Sequence, residues 1–261
     1  MPALPAVTRT SQVNPAPAIE SPGNGAFSFA GLACATPREP TKLTAVSRAN
    51  LPPLDPNELR PAGPLAGRIV RVEPIAESHR GGLREAAERD PQIHRFTMMA
   101  ALGFDTWFDE ALASTAELPF VVHVDGHPAG STRYLNVDGA HRRTEIGWTW
   151  LERAHWGTGA NVETKYLLLR NAFERWGAMR VEFKTDARNL RVRGALLGIG
   201  ATFEGIFRKH MILPDSVRDS AWYAIVDDDW PAVKELLEQK IVRRVGDAPG
   251  ERVSDAPPGR G

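Results

Sequence analysis

WLERAHWGTGANV, residues 150–162, ends an alternating apolar strand, turns through Gly157-Thr158-Gly159 and runs into the longest helical pattern of the chain. No acidic side chain stands in the first turn before Glu163. A helix N-terminus leaves its first N–H groups unpaired and carries about half a positive charge, so consecutive amides here converge into a seat for phosphate. Glycine permits both the close approach and the unusual dihedrals that aim those amides. Gly-x-Gly is equally a plain turn with a helix cap, so the neighbouring elements have to choose. A dinucleotide fold asks for a third glycine where Val162 stands and for a parallel βαβ unit at the domain start. A nucleotide-triphosphate loop asks for Gly-Lys-Ser or Gly-Lys-Thr. Neither pattern is present.

Downstream, Val162, Tyr166, Leu169, Phe173 and Trp176 recur at helical spacing, predicting a helix over Asn161–Trp176 that Gly177 ends. Then follow a strand over Arg180–Thr185, a helix over Asn189–Ile199, strands over Thr202–Leu213 and Ala221–Val226, and a helix over Trp230–Lys240. Upstream, His141–Leu151 alternates as a strand, and Leu118–Val124 and Ala129–Val137 form a hairpin about Asp125-Gly126. Helices over Ala76–Arg89 and Phe104–Ser114 separate that hairpin from a first strand beginning at Gly67. The order βααβββαβαβ(β)α predicts an α/β fold with one mixed sheet, an antiparallel meander followed by a β-α-β crossover, with helices on both faces.

The 261 residues divide into a leader, a domain and a tail. Residues 1–64, rich in Pro, Ala, Ser and Gly without sustained periodicity, are expected to be disordered; residues 65–242 form the domain and 243–261 a disordered tail. One apolar patch, Ala26–Cys34, interrupts the leader. With 42% apolar and 25% charged residues the composition is that of a globular protein. Lys plus Arg and Asp plus Glu balance at 32 each, so no net field favours nucleic acid or an anionic membrane. The single cysteine, Cys34, forms no internal disulfide, no apolar run approaches a membrane span, and the start reads as no export signal, so a cytoplasmic protein is expected. His123, His141, His155 and His210 show no metal-ligand spacing, and no metal is expected.

The span Thr144–Asp215, TEIGWTWLERAHWGTGANVETKYLLLRNAFERWGAMRVEFKTDARNLRVRGALLGIGATFEGIFRKHMILPD, resembles the GNAT superfamily of acyl-CoA N-acetyltransferases, in the branch similar to the RimJ/RimL enzymes that acetylate ribosomal-protein N-termini. The likeness extends over about Gly67 to Lys240. It implies that Gly157, Thr158, Gly159, Ala160 and Asn161 hold the pyrophosphate of acetyl-CoA through main-chain amides, Trp156, Gly159 and Asn161 occupying the patterned positions. It implies further that Trp150 and Leu151 supply a free strand edge for the pantetheine arm. Asn189, opening the segment that leads to Gly200-Ala201, would touch the pantetheine or the thioester; the same residue type is also a strong helix N-cap. Val192 replaces the usual Ser or Ala, and Leu196 stands where many members carry a tyrosine that protonates the departing thiolate.

What the resemblance implies is direct attack by an amine on the thioester, with Glu145 as the candidate to take the amine proton or order a water. Trp107, Phe108, Arg133, Tyr134, Arg208 and His210 are candidates to line the acceptor pocket. The acceptor amine is a peptide N-terminus or a small molecule, the protein a monomer or homodimer. The alternative is a non-catalytic acyl-CoA-binding sensor on the same fold.

Overall fold

The computed structural model describes residues 51–97, 99–213 and 216–246. The leader up to residue 50, with its apolar patch, and the tail from residue 247 lie outside the described residues. A two-residue bridge, β1 (Leu65–Ala66), leads into β2 (Val70–Pro74). Helices α1 (Arg80–Glu88), α2 (Met99–Leu102) and α3 (Phe104–Ala113) follow, then the meander β3 (Leu118–Val124), β4 (His127–Asp138) and β5 (Arg143–Leu151). The second half is α4 (Ala160–Arg170), β6 (Arg180–Asp186), α5 (Leu190–Gly198), the hairpin β7 (Thr202–Leu213) and β8 (Ser216–Val226), and α6 (Trp230–Gly246). The strands form one sheet in the order β1-β2-β3-β4-β5-β6-β8-β7, antiparallel except where β5 meets β6. This is the mixed α/β architecture expected from the element order.

Alternation sorts the two faces. In β3, Phe120 and Val122 join the cluster packed with Leu167, Leu168 and Leu169 of α4 and Leu237 of α6, whereas Val121 between them joins Leu83, Ala86, Trp107 and Phe108 of α1 and α3. A period of two sends consecutive side chains to opposite faces, so helices cover both sides. α4 is tied to the sheet by a carboxylate as well as by leucines. Buried Glu163 accepts the amides of Arg68, Ile69 and Val70 at 2.7, 2.6 and 2.8 Å, fixing the start of β2 against the first turn of α4. A Cβ on Gly67 would fall 2.3 Å from that carboxyl carbon, so glycine is required there.

Two boundaries differ from the sequence reading. Residues 51–64, expected within the leader, pack on the domain: Pro56–Leu59 form a 3-10 turn capped by Asp55, and Leu59 is fully buried. Leu59 and Asp55 carbonyls accept from Asn171 Nδ2 and Trp176 Nε1, both at 2.9 Å. Those donors sit where the helix predicted over Asn161–Trp176 widens into a π-turn at Asn171–Trp176 before Gly177, with φ of 84°, ends it. A proline-rich segment without periodicity conceals such anchoring because one leucine and two carbonyls suffice. At the other end α6 continues to Gly246, past the expected limit at 242. No helix among the described residues is long and apolar enough to cross a membrane.

Candidate active site

β5 and β6 pair at three positions only, Arg143 with Arg180, Thr144 with Val181 and Glu145 with Glu182. Beyond Glu145, β5 follows β4 and β6 follows β8, so the two strands part. Register shifts in the β4–β5 ladder bend β5 outward, and Trp148 in its middle has a positive φ of 51°. A bulky residue held in that region is strained, as backbone near functional sites often is. The opening is a cavity of about 500 Å³ walled by Ile146–Leu151 of β5, Phe183–Thr185 of β6, Asn161 and Lys165 of α4 and the first turns of α5.

The glycine loop closes one end of this cavity. Gly157 and Gly159 have φ of 78° and 101°, so both need glycine's freedom. Among the described residues, the amides of Gly157, Thr158 and Gly159 find no protein acceptor. Thr158 Oγ1 donates to the His155 carbonyl and accepts the Ala160 amide at 3.3 Å, ordering the turn. Gly157 and Asn161 line the cavity; Ala160 is fully buried, and the vacant side-chain position of Gly159 points at Ile69 and Arg244. Trp156 donates from Nε1 to the Leu151 carbonyl, and the Arg191 guanidinium lies 3.8 Å over its ring. Asn189 lines the cavity and also caps α5, its Oδ1 accepting the Val192 amide at 3.2 Å. Trp150 and Leu151 line it too, buried.

At the vertex where the strands part sits Glu145, 1% exposed, accepting from Lys184 Nζ and Asn136 Nδ2, both at 2.9 Å. Burial pushes its carboxyl above the usual range, and the Lys184 ammonium opposes that shift. Lys165 rises from α4 into the same cavity and donates to Thr149 Oγ1 at 2.5 Å. Desolvation pulls its amine down to about 7, with Glu145 acting the other way. The remaining charged groups on the wall are Glu117, Lys184, Arg191 and Arg218. Glu117 is paired with Arg133 and Glu145 with Lys184, so among the described residues Lys165, Arg191 and Arg218 have no carboxylate partner. The cavity is built for an anionic guest.

Leu196 and Val192 line the wall as apolar residues. The residues expected to shape the acceptor pocket do not line the cavity. Trp107, Phe108 and Tyr134 are core, Arg133 is buried over the Trp148 ring, Arg208 is exposed, and His210 bonds Ser220 Oγ. Their aromatic content reads as readily as core, and packing claims it. Phe96, Thr97, Met211 and Arg218 line the cavity instead. Lys165 left a signal that the sequence reading missed: it stands three residues after Val162 and four before Leu169, a lysine on the buried stripe. Arg218 left none.

The fold also gathers Glu73, His79 and His123, whose ligand atoms lie within 4.8 Å of one another although their spacing gave no hint of it. His79 Nδ1 accepts the Ala76 amide at 3.0 Å, so Nε2 carries the proton and donates to Glu73 Oε1 at 3.2 Å. A metal at Nε2 would demand the opposite tautomer. The cluster is a hydrogen-bonded one.

A family model described as an acetyltransferase (GNAT) domain matches residues 70–202. A Thermus-type relative, a T. thermophilus protein assigned as an acetyltransferase, is 35% identical, with 69% of this chain and 97% of that one covered at a TM-score of 0.63. A GCN5-related N-acetyltransferase from Brucella melitensis is 28% identical, covering 78% and 95% at 0.70. Mycobacterium smegmatis RimJ, solved with CoA-disulfide, shares the fold at 22% identity, covering 68% and 91% at 0.58. No curated protein matches the chain. With its parted strands, its glycine loop and these likenesses, the chain belongs to the GNAT acetyltransferase family and is an acetyl-CoA-dependent acyltransferase.

Proposed function

We propose that the chain moves the acetyl group of acetyl-CoA to a primary amine, a protein N-terminus or a small-molecule amine, by direct attack. The observation that carries this is the parting of β5 and β6 immediately beyond Glu145, with a buried carboxylate at the vertex and unpaired loop amides at the far end. The amides of Gly157, Thr158, Gly159, Ala160 and Asn161, with Arg191 beside them, are assigned to the pyrophosphate. Strand edge at Trp150 and Leu151, together with Asn189, holds the pantetheine arm. RimL, named as a ribosomal-protein α-N-acetyltransferase, shares the fold at 14% identity with a TM-score of 0.58, which keeps a protein N-terminus among the acceptors.

In this reading Glu145, its affinity for protons raised by burial, takes the proton of the attacking amine. As the C–N bond forms and the C–S bond breaks, the thiolate needs a proton that Leu196 cannot give. Lys165 takes that place. An ammonium near 7 gives its proton downhill to a thiolate whose ordinary pKa is about 8.5, whereas an unshifted lysine near 10.4 would hold it. A panel of amines with acetyl-CoA, scored for acetylated product, tests the proposal. The second reading, a sensor that holds acyl-CoA without transferring it, is favoured only by apolar Val192 and Leu196 on the cavity wall; binding without turnover on that panel would establish it.

A further inference from the structure

Arg218 lies on β8 opposite Met211, is 8% exposed and lines the cavity. Its Nε is buried with no hydrogen-bond partner, and no salt bridge reaches the guanidinium among the described residues. The two acids that act on it electrostatically are already engaged. Asp186 holds Arg188 at 2.7 Å and Glu145 holds Lys184 at 2.9 Å. Desolvation pushes the Arg218 guanidinium below its ordinary range, yet arginine stays charged at any physiological pH. A buried, unpaired guanidinium is costly to the fold and is kept where a ligand anion completes it.

Its place decides which anion. Arg191 stacks on Trp156 of the glycine loop and so stands at the phosphate end. Arg218 instead feels Glu145 at the strand vertex and belongs to the β7–β8 hairpin, away from that loop. We infer that Arg218 binds an oxyanion of the acceptor, so that the amine to be acetylated carries a carboxylate within reach of its nitrogen, either an acidic first side chain of a peptide or the carboxyl of a free amino acid. The carboxylate on Arg218 and the amine at Glu145 then fix the nucleophile by two points. A site built to hold a charged group rejects the analogue lacking it far more strongly than an apolar pocket rejects a missing methylene. This rests on the amine-transfer reading above.

The test compares acid and amide pairs: a peptide amide led by aspartate against the same peptide led by asparagine, and β-alanine against its amide. Acceptor binding to CoA-loaded protein is measured by calorimetry, and kcat/KM with acetyl-CoA in parallel. The expected result is a preference of about 100-fold for the acid member of at least one pair, the pair identifying the source of the carboxylate. Arg218→Gln should collapse that pair onto one value while acetyl-CoA affinity holds, and Arg218→Lys should retain part of the preference. Equal handling of acid and amide by the wild-type protein, which needs no variant to fold, would overturn the inference. So would loss of acetyl-CoA affinity in Arg218→Gln. Acid-selective binding without turnover would support the anion site and overturn the transfer reading instead.

Discussion

Lys165 Nζ bridges α4 and β5 by donating to Thr149 Oγ1 at 2.5 Å, with no carboxylate paired to it among the described residues. Its amine is lowered to about 7 in the fold, against about 10.4 in the unfolded chain. Between those values the unfolded state binds more protons, so stability should rise with pH there. Below 7 both states are charged and the cost of burying the ammonium is felt in full. Lys165→Met removes this dependence. Urea melts from pH 7 to 10 should show wild type gaining on the variant by on the order of a few kcal/mol, and a constant difference would show the amine unshifted.

Glu145 and Lys165 should mark the two sides of the pH profile of kcat/KM. The rate rises as Glu145 loses its proton and falls as Lys165 loses its own near 7. Glu145→Gln should keep acetyl-CoA affinity, lower turnover about 100-fold and abolish the rising limb; Lys165→Met should abolish the falling limb. Unchanged profiles in both variants would leave an amine that arrives deprotonated and a thiolate protonated by solvent.

The two loop glycines should separate fold from binding. At Gly159 a Cβ meets Ile69 Cδ1 at 2.9 Å and Arg244 Cβ at 3.0 Å, under a φ of 101°. Gly159→Val should therefore cost about 1–3 kcal/mol of stability as well as cofactor affinity. At Gly157 nothing lies within 4 Å of the added carbon, so Gly157→Ala should cost only about 1–2 kcal/mol of backbone strain. Equal losses in thermal melts would contradict this geometry.

Leu59 gives a third separation. A chain beginning at Leu51 retains its burial and the carbonyls that Asn171 and Trp176 use; one beginning at Leu65 loses all three. The shorter chain should melt lower than the longer, and Leu59→Ala alone should cost about 2–5 kcal/mol. Identical melting of the two truncations would show the contacts to be idle.

The element order and both faces of the sheet were legible because Val162, Leu169, Phe120 and Val122 keep strict periods. The loop at Gly157–Asn161 was legible because glycines before a helix have few explanations. Glu145 was legible as a strand position, but its pairing to Lys184 joins residues 39 apart, and such contacts leave no local trace. The same holds for Arg218, and for Glu73, His79 and His123, which meet only when β2, β3 and the turn into α1 are assembled. The Leu59 anchor was hidden for a different reason. Proline-rich sequence without a period reads as uncommitted chain, yet a 3-10 turn needs only a capping aspartate, a proline and one apolar side chain.

Transfer of acetyl from acetyl-CoA to an amine within the parted strands is tested most directly by a single-turnover reaction. Acetyl-CoA-loaded protein is mixed with a primary amine, and free thiol and acetylated amine are followed together. The account predicts that the two appear in equal amounts, at a rate that depends on the amine and drops in Glu145→Gln. Bound acetyl-CoA that releases no thiol on addition of any amine would contradict it.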